Sequence, residues 1–238
     1  MKTLSRYSAY TGLRPEIFSR IGTDRRAVLD VGCSNGVLGE AVKRRQTAQV
    51  TGVEYDEQLA AEARERLDRV VTGDLNELNG ILGQLDGPYD CMVFADVLEH
   101  LQDPWGVLTA FSERLTPEGE VIVSLPNVGH LSTLTAVFLR RTWPRRDRGL
   151  HDSTHVRWFS RNDIAELLAG ASLQPVSWKR SQRFVDAPVA VNRLALLVGW
   201  IPGLRDLLTY QFVVVARSTA PARPASAPAA VAAAAEPA

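Results

Sequence analysis

Cysteine is nearly missing: 238 residues hold two, Cys33 and Cys91. Both fall in segments that read as core or site, so they make no disulfide framework. The expected setting is a reducing, cytoplasmic compartment. An excess of charge is missing as well. The 27 Lys and Arg residues are balanced by 27 Asp and Glu residues. A general nucleic-acid binder needs a basic surplus to release counterions, so no nucleic-acid partner is expected. Long apolar runs are absent. Residues 1–11 carry no apolar core of the signal-peptide kind. The longest late run, 194–201, stops at Pro202 and is too short to span a bilayer. Histidine is scarce, with four copies: His100, His130, His151 and His155. The remaining composition, 45% hydrophobic and 23% charged, is that of an ordinary globular chain.

What is present centres on residues 27–42. Ala27–Val31 is apolar and partly β-branched, which reads as a buried strand. Gly32-Cys33-Ser34-Asn35-Gly36 follows as a turn of small residues. Val37, Leu38, Ala41 and Val42 then recur at helical spacing. Strand, glycine turn and helix make a ligand crevice at the carboxyl end of an open α/β sheet. Glycine admits close backbone approach, and the helix N-terminus offers free N–H groups. The glycines stand at 32, 36 and 39, with Ser34 where a dinucleotide fingerprint has its middle glycine. Asp30 sits inside the end of the strand.

A second buried strand, 49–55, ends near Glu54 and Tyr55. Glu54 lies about 20 positions beyond the turn, where an acidic residue holds the ribose hydroxyls of a nucleoside. The plainer alternative is a solvated residue at a helix entry. Asp56 caps a helix to Leu67. Strands follow at 69–74, 88–96 and 120–125, with a helix starting at Pro104 and a turn at Thr116-Pro-Glu-Gly119. Strand and helix alternate five times, which predicts a parallel sheet covered by helices on both faces.

These segments carry a family resemblance. The Asp30…Gly32…Gly36…Gly39 pattern resembles the first motif of class I S-adenosylmethionine-dependent methyltransferases. The run Asp96-Val-Leu-Glu-His-Leu-Gln-Asp-Pro104 is similar to the segment after strand four in methyltransferases of the ubiquinone-biosynthesis type. The resemblance covers about 25–217. It implies a Rossmann-like, doubly wound, seven-stranded, mostly parallel sheet with an antiparallel last strand. It implies S-adenosylmethionine as methyl donor, held by Asp30, Gly32, Cys33, Ser34, Gly36, Glu54 and Tyr55. Asp74 would take the adenine amino group, or instead cap the next turn, with Leu75 and Asn76 lining the adenine slot. Ala95 and Asp96 would pass beneath the sulfonium.

The second half of the chain breaks the rhythm. Residues 128–141 are amphipathic, and 140–148 are dense in arginine. That loop is either a solvated surface or a grip for a phosphate or carboxylate, with Trp143 stacking on a ring. Ser160 with Asp163 forms a capping-box variant for a helix to about Gly170. Two final strands follow, at 173–179 and 210–217. The apolar 189–208 stretch reads as helical core or lid, or as a peripheral membrane contact. Residues 218–238, rich in Ala and Pro, read as a disordered tail. The expected organisation is a cap segment at 1–25, a methyltransferase domain at 26–217, and insertions at about 126–160 and 186–208.

Methyl transfer is an in-line displacement that calls for alignment more than for charge stabilisation. A hydroxyl acceptor nonetheless benefits from a base, and histidine titrates nearest neutrality. All four histidines follow strands four and five, on the acceptor side. His151-Asp-x-x-x-His155 resembles a segment of methyltransferases from sugar, glycan and natural-product pathways. His151 or His155 is the expected base or orienting group, with Asp152 as partner and His100 as a further candidate; any of them also reads as structural. The His/Asp set has ligand-like spacing, yet most such methyltransferases need no metal, and none is expected. The expected partner is a small-molecule acceptor, methylated on a hydroxyl of a sugar, glycan precursor or secondary metabolite. N-methylation and a silent cofactor-binding subunit are the alternatives. An NAD-type oxidoreductase is disfavoured by the glycine spacing.

Overall fold

The computed structural model describes residues 11–184, 192, 201 and 204–219. Tyr7, Tyr10, most of the 189–208 stretch and the tail beyond Thr219 lie outside them.

The strands are apolar on both sides, and this fixes the architecture. β1 (Ala27–Val31) sends Leu29 and Val31 into one cluster and Val28 into another. β2 (Gln49–Glu54) and β3 (Arg69–Thr72) lie on its outer side. β4 (Tyr89–Ala95) divides Met92 and Phe94 from Cys91 and Val93. β5 (Leu115–Pro126) divides Val121 and Val123 from Ile122. A strand that buries alternate residues on both faces belongs inside a three-layer domain. β6 (Leu173–Gln182) and β7 (Thr209–Ser218) complete one seven-stranded sheet in the order β3-β2-β1-β4-β5-β7-β6. β7 is antiparallel to both of its neighbours, and the other pairings are parallel.

One face is covered by α1 (Pro15–Phe18), α2 (Val37–Arg45) and α3 (Glu57–Arg64) through Ile17, Val42 and Ala63. The other face receives Ile81 from α4 (Leu78–Leu82) and Phe111 from α5 (Pro104–Ser112). After a short α6 (Leu131–Leu134), α7 (Arg161–Gly170) adds Ile164, Leu167 and Leu168 to that layer. The described end of the 189–208 stretch contains a single helical turn, α8 (Leu204–Leu207).

Local signals set most boundaries. The Asp56 carboxylate accepts from the N–H groups of Gln58 and Leu59 and starts α3. Ser160 and Asp163 form the reciprocal capping box of α7. β5 differs from expectation. Leu115 already pairs with Tyr89, and pairing resumes between Glu120 and Cys91. The expected turn at 116–119 is therefore a wide bulge within a longer strand.

Strand order reverses between β1 and β4, the switch point at which an open α/β sheet opens a crevice. α2 must pack close to the sheet there. A Cβ on Gly39 would lie 2.5 Å from Leu67 Cδ2 and 2.7 Å from Val50 Cγ1. Gly39→Val is expected to lower unfolding free energy by about 1–3 kcal/mol, the usual cost of overpacking. Urea denaturation of the two proteins measures it, and equal midpoints would refute the packing argument.

Candidate active site

The crevice at the carboxyl ends of β1, β2 and β4 is a cleft of about 590 Å³. That is the size of a small-molecule or cofactor site. The turn after β1 makes its floor. Gly32 (φ +74°), Ser34 (φ +50°) and Gly36 (φ +79°) all take the left-handed conformation. A Cβ on Gly32 would lie 2.4 Å from Val97 Cγ2, so glycine is required on steric grounds as well. Asp30, Gly32, Cys33, Ser34, Glu54, Tyr55, Asp74, Leu75, Ala95 and Asp96 line the cleft. Gly36 stands just behind it as the N-cap of α2, against Ala63.

Glu54 is held rigidly. Its Oε2 accepts from Ser34 N–H at 2.7 Å, and Oε1 accepts from Tyr55 and Asp56 N–H, both at 2.9 Å. One carboxylate therefore joins the glycine turn to the end of β2. Asp30 is buried beside it. Burial, with the negative Glu54 nearby, pushes the Asp30 carboxyl up to about 7. Asp74 Oδ1 accepts from the backbone and side-chain N–H groups of Asn76, both at 2.9 Å. Leu59, Leu75 and Leu101 supply apolar wall between these polar ends.

Asp96 closes β4 in a left-handed conformation, φ +58°. Its Oδ1 accepts from Ser124 Oγ at 2.9 Å and Gln211 Nε2 at 2.5 Å. Its Oδ2 accepts from Arg14 at 2.6 Å. Arg14 and Gly12 line the cleft too, so the segment before α1 reaches the crevice. Burial alone would lower the Arg14 guanidinium, but Asp96 and Glu16 outweigh it and hold it raised. No sequence pattern pointed to Arg14 or Gln211.

Of the four residues expected to act on the acceptor, His100 lines the cleft. Its Nδ1 is 3.3 Å from the Thr154 carbonyl and 3.2 Å from Thr154 Oγ1. That hydroxyl donates to Asp152 Oδ1 at 2.7 Å. Asp152 is thus linked to His100 through Thr154, which sequence reasoning did not single out. Burial lowers the His100 pKa below the ordinary imidazole value. His155 packs edge-on against His100, with ring centroids 4.8 Å apart. It is also lowered, by burial first and then by His100. His155 Nδ1 lies 3.2 Å from the Leu150 carbonyl. His151 stands further back, with Nε2 2.9 Å from Thr133 Oγ1 and its ring edge-on to Trp143.

Glu99 was also missed, although it adjoins His100 in the quoted run. Its side chain is 1% exposed, with Oε1 3.9 Å from His155 Nε2. Oε2 has no hydrogen-bond partner. Burial, with Asp96 nearby, raises its carboxyl well above the usual range. Among the described residues, Glu99, His100 and His155 each bring one ligand-type atom within 4.8 Å of the others. No helix among the described residues is long and apolar enough to cross a membrane.

Known proteins match this frame. A family model described as a methyltransferase domain matches residues 5–177. The ubiquinone biosynthesis O-methyltransferase of Pseudomonas paraeruginosa (strain DSM 24068 / PA7) is 33% identical over 143 residues, covering 57% of this chain and 60% of that protein. The chain thus spans less than two thirds of that relative's length. The protein of the same name from Xylella fastidiosa (strain M23) is 32% identical over 197 residues, covering 76% and 77%. A solved SAM-dependent methyltransferase from Archaeoglobus fulgidus shares the fold with TM-score 0.61 at 15% identity, covering 91% of this chain and 99% of that one. With the strand order, the glycine turn and the acidic strand ends, these matches show that the chain belongs to the methyltransferase-domain family, of the class I S-adenosylmethionine-dependent kind.

Proposed function

We propose that this chain transfers the methyl group of S-adenosylmethionine to a hydroxyl of a small-molecule acceptor, with His100 as general base. The observation that carries the reading is His100 in the cleft wall with its Nδ1 side engaged by Thr154. In this reading residues 26–217 form the catalytic unit, 1–25 its cap, and 126–160 with 186–208 its acceptor side. The acceptor is a ring-bearing sugar, glycan precursor or secondary metabolite. Trp143 and Trp158, half exposed and edge-on to each other near His151, supply surfaces for such a ring. The O-methyltransferase names of the relatives favour oxygen over nitrogen.

When bound, S-adenosylmethionine supplies a methyl group on a positively charged sulfur. The rest belongs to the chain. Oε2 of Glu54 accepts from a single amide and has a further lone pair for ribose hydroxyls. Asp74 has Oδ2 for the adenine amino group, and Arg14 is a cation for the cofactor's carboxylate. Asp96, fixed by Ser124 and Gln211, faces the cationic groups. His100 takes the hydroxyl proton on Nε2. Its Nδ1–H donates to Thr154, whose own hydroxyl donates to Asp152, so the imidazole is held in one tautomer. Burial keeps the ring neutral and ready to accept.

A second reading rests on the unpartnered Glu99 Oε2. A divalent cation held by Glu99, His100 and His155 would lower the acceptor hydroxyl's pKa instead. Two nitrogens and one carboxylate oxygen suit a transition metal better than magnesium. Chelation separates the readings: activity that survives exhaustive chelator treatment supports the histidine base. Activity that is lost and then restored by zinc or manganese supports the cation.

Glu54→Ala is expected to weaken S-adenosylmethionine binding roughly 10-fold or more, since a hydrogen bond to a charged group is worth about 1.5–3 kcal/mol. Calorimetric titration reads this, and unchanged affinity would reject the ribose assignment. His100→Gln is expected to lower kcat about 100- to 10,000-fold with cofactor affinity retained, the range for loss of a general base. Full turnover in that variant would remove the base from the mechanism. The pH profile carries a sign. The neutral imidazole is the active form, so kcat/KM rises with pH through the His100 pKa. Because that pKa is lowered, the rate is half-maximal below about pH 6.5, the ordinary imidazole value. A midpoint at or above that value would contradict the buried histidine.

A further inference from the structure

The chain beyond α6 forms an exposed loop. Thr142 N–H donates to the Ala136 carbonyl at 3.1 Å and Arg140 N–H to the Thr135 carbonyl at 3.2 Å, closing a tip at 137–141. A π-helical turn, Thr135–Leu139, builds one side, and Arg141 at φ +53° turns the chain back. Every tip residue is exposed, Phe138 by 73% and Leu139 by 78%. Single apolar residues on a surface are commonplace, but adjacent bare Val137, Phe138 and Leu139 on an ordered turn are not.

The base of the loop is braced. Trp143 lies edge-on to His151 and to Trp158, with ring centroids 5.9 and 5.2 Å apart. Arg146 N–H donates to the His151 carbonyl, and the Arg146 carbonyl accepts from Ser153 N–H, both at 2.9 Å. Charge is concentrated here. Residues 140–148 hold five arginines and one aspartate in a chain of formal net charge zero. The remainder is therefore net acidic, so positive charge is concentrated on this loop.

We propose that 137–148 docks on an anionic lipid bilayer, with Val137, Phe138 and Leu139 entering the headgroup–acyl boundary and the arginines meeting lipid phosphates. The two signals complement each other. Apolar insertion alone is weak, and a basic patch alone does not penetrate; together they anchor a peripheral protein. Trp143, 41% exposed behind the tip, sits where an indole favours the interface. A nucleic acid would also meet the arginines, but its bases offer no stacking partner to Val137 and Leu139. Docking turns the His151 side of the domain toward the membrane, which suits an acceptor that partitions into lipid. The docking itself stands independently of the methyl-transfer reading.

The test is cosedimentation of the full chain with vesicles of phosphatidylcholine alone and of phosphatidylcholine mixed with phosphatidylglycerol. Expected is binding to the mixed vesicles, weakened by salt, and little binding to the neutral ones. The double variants Phe138→Ala/Leu139→Ala and Arg140→Gln/Arg141→Gln are each expected to lose affinity on the order of tenfold or more. Arg64→Gln, on α3, serves as a charge control and is expected to bind as wild type. Thermal melts confirm that the variants fold. Failure to pellet with mixed vesicles would overturn the proposal, as would equal binding to both vesicle types or indifference to both double variants. So would a single-stranded RNA oligonucleotide that binds more tightly than the vesicles and loses affinity in the same variants.

Discussion

One carboxylate ties the cleft together. Glu54 accepts from the N–H groups of Ser34, Tyr55 and Asp56, and so links the turn after β1 to the end of β2. Bonds from N–H to an ionised oxygen are about twice as strong as neutral ones. They fix two neighbouring strand ends in one register, and the left-handed turn between Gly32 and Gly36 is held open as a result. Asp30 lies near the same group, and its pKa is raised first by its own burial and then by the Glu54 carboxylate. Remove Glu54 and three amides lose their acceptor.

The wall around His100 is built differently. The turn after β1 rests on backbone bonds and absent side chains, whereas this wall rests on buried side-chain polarity. His100, Thr154 and Asp152 make a hydrogen-bonded series, with Glu99 and His155 packed behind it. Burial pushes the Glu99 carboxyl up and the His100 and His155 imidazoles down, each away from its charged form.

The sheet was legible in the sequence because strands buried on both faces read as runs of consecutive apolar residues, as at 91–94 and 121–123. The glycines at 32 and 36 report the turn after the first strand. Glu54 and Asp74 were legible by their distance from that turn. Arg14 was not, because its partner Asp96 is 82 residues away and no local pattern links them. Thr154 was overlooked for a related reason. A hydroxyl carries no pattern of its own, and its part emerges only once Asp152 and His100 lie on either side of it. Ranking His151 and His155 ahead of His100 as candidate bases followed the resemblance of the His151–His155 run to segments of other methyltransferases. The fold instead puts His100 at the cleft wall, because Val156 and Arg157 N–H both bond to the Glu99 carbonyl and draw that segment alongside. The bulge within β5 was hidden because its Thr-Pro-Glu-Gly composition is that of an ordinary turn.

Gln211 reaches Asp96 from β7, 115 residues further along the chain. β7 is also the strand that lies between β5 and β6. During synthesis, β6 leaves the ribosome before the strand it must pair with, and it has no neighbour in the sheet until β7 slides in. The same event brings Gln211 onto the Asp96 carboxylate. Pairing of β7 into the sheet and engagement of the Asp96 carboxylate by Gln211 thus come together, and both wait on chain made long after the glycine turn.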